Sequence, residues 1–153
     1  MFIGEFRHSL DDKFRISLPA RLRELMPKDD VDQPLYLCRG QGDCLYLYPQ
    51  SRWQELTASL AKPAFGAAEA LRFARLFFSS AGQASVDGQG RIRIPESLCR
   101  IAALVKEVVF VGVFDRIEIW DAAKWSEFSR THEALFAHLA EQAAKQGERG
   151  VDG

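Results

Sequence analysis

Apolar and polar residues alternate along this chain in short runs closed by turns, and the runs come twice in the same order. The segment from about Phe2 to Ser9 predicts an entering strand. Arg15 to Leu18 predicts a shorter one, with Ile16 and Leu18 on one face and Arg15 and Ser17 on the other. Pro19 suits the first turn of a short helix, about Ala20 to Met26, where a missing N–H costs nothing. Leu35 to Cys38 and Leu45 to Tyr48 are rich in aromatic and aliphatic residues and flank a Gly- and Asp-containing turn, which predicts a hairpin; a helix follows from near Ser51. The order then recurs. Strands are expected at Ser79 to Val86 and at Arg91 to Ile94, where Arg91 and Arg93 lie opposite Ile92 and Ile94. Pro95 leads a helix over Glu96 to Ala102, Val108 to Val113 and Ile117 to Trp120 predict a second hairpin, and another helix begins near Ala122.

The recurrence is literal. Asp11-Asp12-Lys13-Phe14-Arg15-Ile16-Ser17-Leu18-Pro19 aligns without a gap on Asp87-Gly88-Gln89-Gly90-Arg91-Ile92-Arg93-Ile94-Pro95, with Asp11 and Asp87 76 positions apart. Asp43 to Tyr48 aligns on Asp115 to Trp120, and Trp53 on Trp125, at an offset of 72; the loop from Lys28 to Pro34 absorbs the difference. The expected organisation is a first repeat over residues 1–66, a helical linker over 67–78 and a second repeat over 79–125. An amphipathic helix over 126–146 follows, carrying Phe128, Leu135, Phe136, Leu139 and Ala143 on one face, and then a disordered tail over 147–153. Neither repeat holds enough structure to bury a core alone. The expected fold is therefore α+β, a small β-rich, barrel-like unit or layered sheet made by two repeats related by a pseudo-twofold axis, with flanking helices.

Composition narrows the function. The net charge of -1 and pI near 6.3 exclude a protein coated in basic surface, so any nucleic-acid contact must use local positive charge. No apolar run approaches the roughly 20 residues needed to span a bilayer, and the amino terminus lacks the order of a secretory signal, so a cytoplasmic protein is expected. Cys38, Cys44 and Cys99 are an odd set without metal-ligand spacing and read as free thiols in packed segments. His8, His132 and His138 share no ligand spacing with them, and the aromatic residues read as packing groups. No nucleophile elbow, phosphate loop or dinucleotide signature occurs, so no enzyme, cofactor or small-molecule substrate is expected.

The chemistry that remains sits in the doubled motif. An Asp opening a turn accepts backbone N–H groups ahead of it and brings the Arg four positions on near its carboxylate. Such an Arg either closes a local ion pair or presents the rest of its fork to phosphate or a guanine edge. Lys13, Arg21 and Arg23 lie near the first motif strand, and Asp11, Asp12 and Glu24 partly offset them, so a solvated strand face and a binding face both fit.

The opening Met1 to Lys13, continuing through Arg15 and Pro19, together with Val86 to Pro95, resembles the two signatures of the MraZ family, and the likeness extends to about Phe136. The resemblance implies a fold of the SpoVT/AbrB-like, swapped-hairpin type. It also implies a ring-shaped homo-oligomer that binds repeated promoter sites in double-stranded DNA, acts on the division and cell wall gene cluster, commonly as a repressor, and lies in the cytoplasm with the nucleoid. It ties Asp11 with Arg15 and Asp87 with Arg91 to DNA contact. With the neighbouring charges, the expected DNA-binding set is Asp11, Lys13, Arg15, Arg21, Asp87, Arg91 and Arg93. One departure stands out. The family usually has Gly before the first motif Arg, and this chain has Phe14. A Phe at positive φ is costly, so the first turn is expected to differ in geometry from the second.

Overall fold

The computed structural model describes residues 1–60 and 68–151. Strand β1 (Phe2–Ser9) finds its partner in the other repeat, running antiparallel to β7 (Glu107–Phe114) from Phe2 opposite Phe114 to Ser9 opposite Glu107. The exchange is reciprocal: β5 (Gly82–Ala84), the entering strand of the second repeat, pairs with β3 (Leu35–Arg39) of the first. The hairpins foreseen from the sequence are present as β3 with β4 (Cys44–Tyr48) and β7 with β8 (Arg116–Asp121). Pairing of β4 with β8 joins them into one antiparallel sheet of order β1-β7-β8-β4-β3-β5. Exchanging the repeats reverses that order onto itself. The motif strands β2 (Arg15–Ser17) and β6 (Arg91–Arg93) form a separate two-stranded ribbon, also across the repeats.

The registers locate the symmetry. In the ribbon Ile16 lies opposite Ile92, and in the sheet Tyr46 lies opposite Glu118. Each is a pair of residues that the sequence alignment already equates, so the pseudo-twofold axis passes through both. The α+β class and the pairing of repeats agree with the expectation. The barrel does not close, because β1 and β5 remain as two edges of an open sheet.

Alternation sorts the sheet's two faces. Leu35, Leu37, Leu45, Leu47, Val108, Phe110, Ile117 and Ile119 are all 2% exposed or less and face one core. That core also takes Ile16, Leu18, Ile92 and Ile94 from the ribbon, and Leu22 and Leu98 from helices α1 (Ala20–Glu24) and α4 (Glu96–Ile101). Pro19 and Pro95 hold the capping positions of these two helices, at φ of −53° and −52°, one position earlier than the sequence placed them. The other face carries Cys38 and Tyr48. These pack with Trp53 and Leu56 of α2 (Gln50–Leu60) and Phe77 of α3 (Ala68–Ser80), and Trp53 stacks on Tyr36 at 5.2 Å. Buried Asp30 accepts hydrogen bonds from the Ser51 N–H (3.0 Å) and hydroxyl (2.6 Å), satisfying the start of α2.

Several boundaries move. The strand expected over Ser79 to Val86 shrinks to β5, since α3 persists to Ser80 with the Ser79 and Ser80 hydroxyls bonding back to the Leu76 carbonyl. Residue 67, the first of the expected linker, lies outside the described residues. Residues 1–122 form one unit that holds the first repeat and the second as far as residue 122, and the unit that follows takes residues 123–125 of the expected second repeat. In place of one terminal helix there are two, α5 (Ala122–Glu133) and α6 (Phe136–Val151). Helix α6 continues through residues 147–151, which the sequence assigned to a disordered tail; 152–153 lie outside the described residues. Phe128 on α5, Phe136 and Leu139 on α6, and Leu135 between the two helices are exposed. No helix among the described residues is long and apolar enough to cross a membrane.

A core shared at Ile16 and Ile92 predicts one unfolding event for both repeats. Ile16→Ala and Ile92→Ala should each cost roughly 2–5 kcal/mol and shift the same single denaturation transition of the tyrosine and tryptophan fluorescence. Two transitions, each moved by only one substitution, would contradict the shared core.

Candidate nucleic-acid interface

The two motif turns are built on the same hydrogen bonds. In the first, one Asp11 carboxylate oxygen accepts the N–H groups of Lys13 (2.9 Å) and Arg15 (2.8 Å), and the other accepts Arg15 Nε–H at 2.8 Å. In the second, Asp87 accepts the N–H groups of Gln89 (2.8 Å) and Arg91 (2.9 Å), and Arg91 Nε–H at 3.0 Å. Backbone bonds close both loops: the Asp N–H donates to the Arg carbonyl at 2.9 Å in each. The repeats are also laced together, since Leu18 N–H donates to the Gly90 carbonyl and Ile94 N–H to the Phe14 carbonyl.

This overturns the expectation that Phe14 gives its turn a different geometry. Phe14 sits at φ 60°, beside 76° for Gly90, and the two turns match bond for bond. The left-handed conformation costs a non-glycine residue about 1–2 kcal/mol. Here the Phe14 N–H donates to the Asp11 carbonyl, its own carbonyl accepts Ile94, and its half-buried ring packs against the main core. Burial of an aromatic ring is of comparable size and offsets the strain.

Because the motif strands pair with each other, their outward side chains share one surface. Ile16 and Ile92 point inward, each 1% exposed. On the outer face Arg15 stands directly opposite Arg93, and Ser17 opposite Arg91. Three guanidinium groups therefore occupy six residues of ribbon. The Asp11 and Asp87 carboxylates engage the Nε–H of Arg15 and Arg91, which leaves their Nη groups available. Arg93 and Lys13 are exposed and form no ion pair with any described residue.

The sequence model of the MraZ protein family, whose description adds a likeness to antitoxins, matches residues 1–76 and again 77–147. The chain belongs to the MraZ family. It is 42% identical to the transcriptional regulator MraZ of Desulforamulus reducens over 141 residues, 92% of this chain and 96% of the relative. The MraZ regulators of Lactobacillus gasseri and Moorella thermoacetica are each 40% identical over 92% and 93% of this chain, and 95% and 96% of their own lengths.

For this MraZ-family chain, the structure gathers Asp11, Arg15, Asp87, Arg91 and Arg93 at one ribbon, with Lys13 in the first turn. Arg21 is set apart on α1, where it meets Glu24 at 3.8 Å with both side chains about 70% exposed, a geometry worth little. Two features escaped the sequence. The motif segments were read as short strands but not as partners of each other, and they pair across the repeats; the matching lengths and alternation of Arg15–Ile16–Ser17 and Arg91–Ile92–Arg93 were the available signal. Arg23, which the sequence placed merely near the first strand, lies against Gly90 of the second turn.

Both motif carboxyls are held below the usual 3.8. For Asp11 the largest cause is the Arg15 N–H, opposed by desolvation and reinforced by the Arg15 side chain and the Lys13 N–H. For Asp87 it is the Arg91 N–H, opposed by desolvation and reinforced by the Gln89 N–H and the Arg91 side chain. A lowered folded value means the turns' contribution is present above the unfolded value and lost as pH falls through the folded one. Carboxyl-carbon NMR titration should place the midpoints of Asp11 and Asp87 below 3.8, with the Arg15 and Arg91 amide shifts moving in step. Midpoints at or above 3.8 would contradict the turn geometry.

Proposed function

We propose that this protein is a sequence-specific DNA-binding transcriptional regulator whose contact surface is the outer face of the β2–β6 ribbon with its two Asp-led turns. The observation that carries the reading is the direct opposition of Arg15 and Arg93 in a ribbon of three residues per strand. Like charges directly across a strand pair destabilise it, and among the described residues only Asp11 and Asp87 form ion pairs with these three guanidinium groups. An anion on the outer face relieves that repulsion. A guanidinium fixed at Nε presents its Nη edge in a set direction, as bidentate reading of a guanine or clamping of a phosphate requires. Asp11 and Asp87 then act by aiming Arg15 and Arg91, and Lys13 and Arg93 add phosphate contacts; Arg21 supplies a peripheral one.

The naming of the relatives as transcriptional regulators supports the regulatory role. On the same reading the protein acts as a homo-oligomeric ring on repeated promoter sites, represses the division and cell wall gene cluster that includes its own gene, and works in the cytoplasm at the nucleoid. The near-neutral net charge fits this arrangement. One ribbon per subunit is a weak grip, and several ribbons engaged together on spaced repeats gain avidity. The exposed apolar residues of α5 and α6 supply surface for subunit contacts.

The test is a titration at fixed salt of duplex DNA from upstream of the protein's own gene against a scrambled duplex. Arg15→Ala and Arg91→Ala should each weaken binding to the promoter duplex by about 1–3 kcal/mol, narrow the preference over scrambled DNA, and leave the oligomer size unchanged. Wild-type affinity in the double variant would remove the ribbon as the site.

A further inference from the structure

Resting on the DNA-binding reading of the ribbon, we infer that Arg23 of the first repeat completes the second repeat's arm as an additional phosphate-binding residue, seated by the missing side chain of Gly90. The geometry is specific. A Cβ added at Gly90 would lie 3.1 Å from Cζ, Nη1 and Nη2 of Arg23 alike. Equal distances to three atoms of the guanidinium place its flat face on the glycine, with the N–H edges turned away from that contact. Gly90 is buried and Arg23 exposed, so the guanidinium covers the turn while keeping its own solvent-facing edge. It makes no hydrogen bond or ion pair with any described residue: on α1, Glu24 is taken by Arg21, and at the turn Asp87 is taken by Arg91.

The arrangement occurs once. The pseudo-twofold axis relates Arg23 to Cys99 and Gly90 to Phe14. Cys99 is 4% exposed, its thiol directed to the Ile94 carbonyl at 3.7 Å, and Phe14 brings a ring where the other turn has none. One arm therefore holds Asp87, Arg91 and Arg93 with Arg23 added. The other holds Asp11, Asp12, Lys13 and Arg15, whose formal charges cancel. The second arm carries two excess positive charges, Arg23 and Arg93, neither in an ion pair with any described residue. A guanidinium held flat and unpaired beside a DNA-facing turn suits a backbone phosphate, which carries no sequence information.

The experiment measures affinity for promoter and scrambled duplexes across a salt series for the full chain and its Arg23→Ala, Arg23→Gln, Arg23→Lys and Arg91→Ala variants, with melting temperatures alongside. Arg23→Ala and Arg23→Gln should weaken both duplexes about tenfold and reduce the slope of log affinity against log salt by about 0.9 for each engaged subunit. Arg23→Lys should restore the slope, and the melting temperatures should stay at the wild-type value. If Arg91→Ala is impaired while Arg23→Ala keeps wild-type affinity and slope, the Arg23 assignment falls and the ribbon reading stands. Weakened binding with an unchanged slope and no rescue by Lys marks a structural role and also overturns it. If neither residue matters, the ribbon reading fails and takes this one with it.

Discussion

The structure depends on Ile16 meeting Ile92 across the two repeats. A strand of three residues has too few ladder bonds and too little apolar surface to hold itself in water. Each motif strand persists because its single inward side chain is fully buried by the other repeat and by the sheet beneath. The same exchange sends β1 to β7 and β5 to β3, so the main core is built by both repeats together. Duplication here is a way of making one domain.

That constraint fixes where the charge goes. With Ile16 and Ile92 committed inward, period-two geometry leaves the arginines no choice but the outer face. Register then sets Arg15 against Arg93, an arrangement that weakens the ribbon unless something anionic covers it. Asp11 and Asp87 answer part of the repulsion: each carboxylate accepts two backbone N–H groups of its turn and the Nε–H of Arg15 or Arg91, which holds that side chain in place. On the proposed reading, stability and recognition share the same six residues, and the cost of keeping them together is met by the core below.

Much of this was legible in the sequence because periodicity and duplication are local. The eight residues of β1, both hairpins, both short helices after Pro19 and Pro95, and the inward and outward faces of the motif strands all follow from spacing alone. Features that needed tertiary partners were not legible. Phe14 reads as incompatible with a left-handed turn until its ring is seen against the core and its carbonyl bound by Ile94. The sheet stays open, with β1 and β5 as its edges, and β5 is only three residues long because α3 persists to Ser80. The terminal position of residues 147–153 suggested disorder, yet α6 runs through Gly147 and Gly150, as a penalty near 1 kcal/mol apiece does not by itself end a helix. Arg23 belongs to the same class, since its contact with Gly90 joins positions 67 apart in different repeats.

Amide hydrogen exchange of the full chain, with and without duplex DNA from upstream of its own gene, bears most directly on the ribbon as the contact surface. Slowed exchange centred on residues 11–17 and 87–93 is the predicted result. Protection confined to α2, α3 or α6, with both motif turns unchanged, would contradict it.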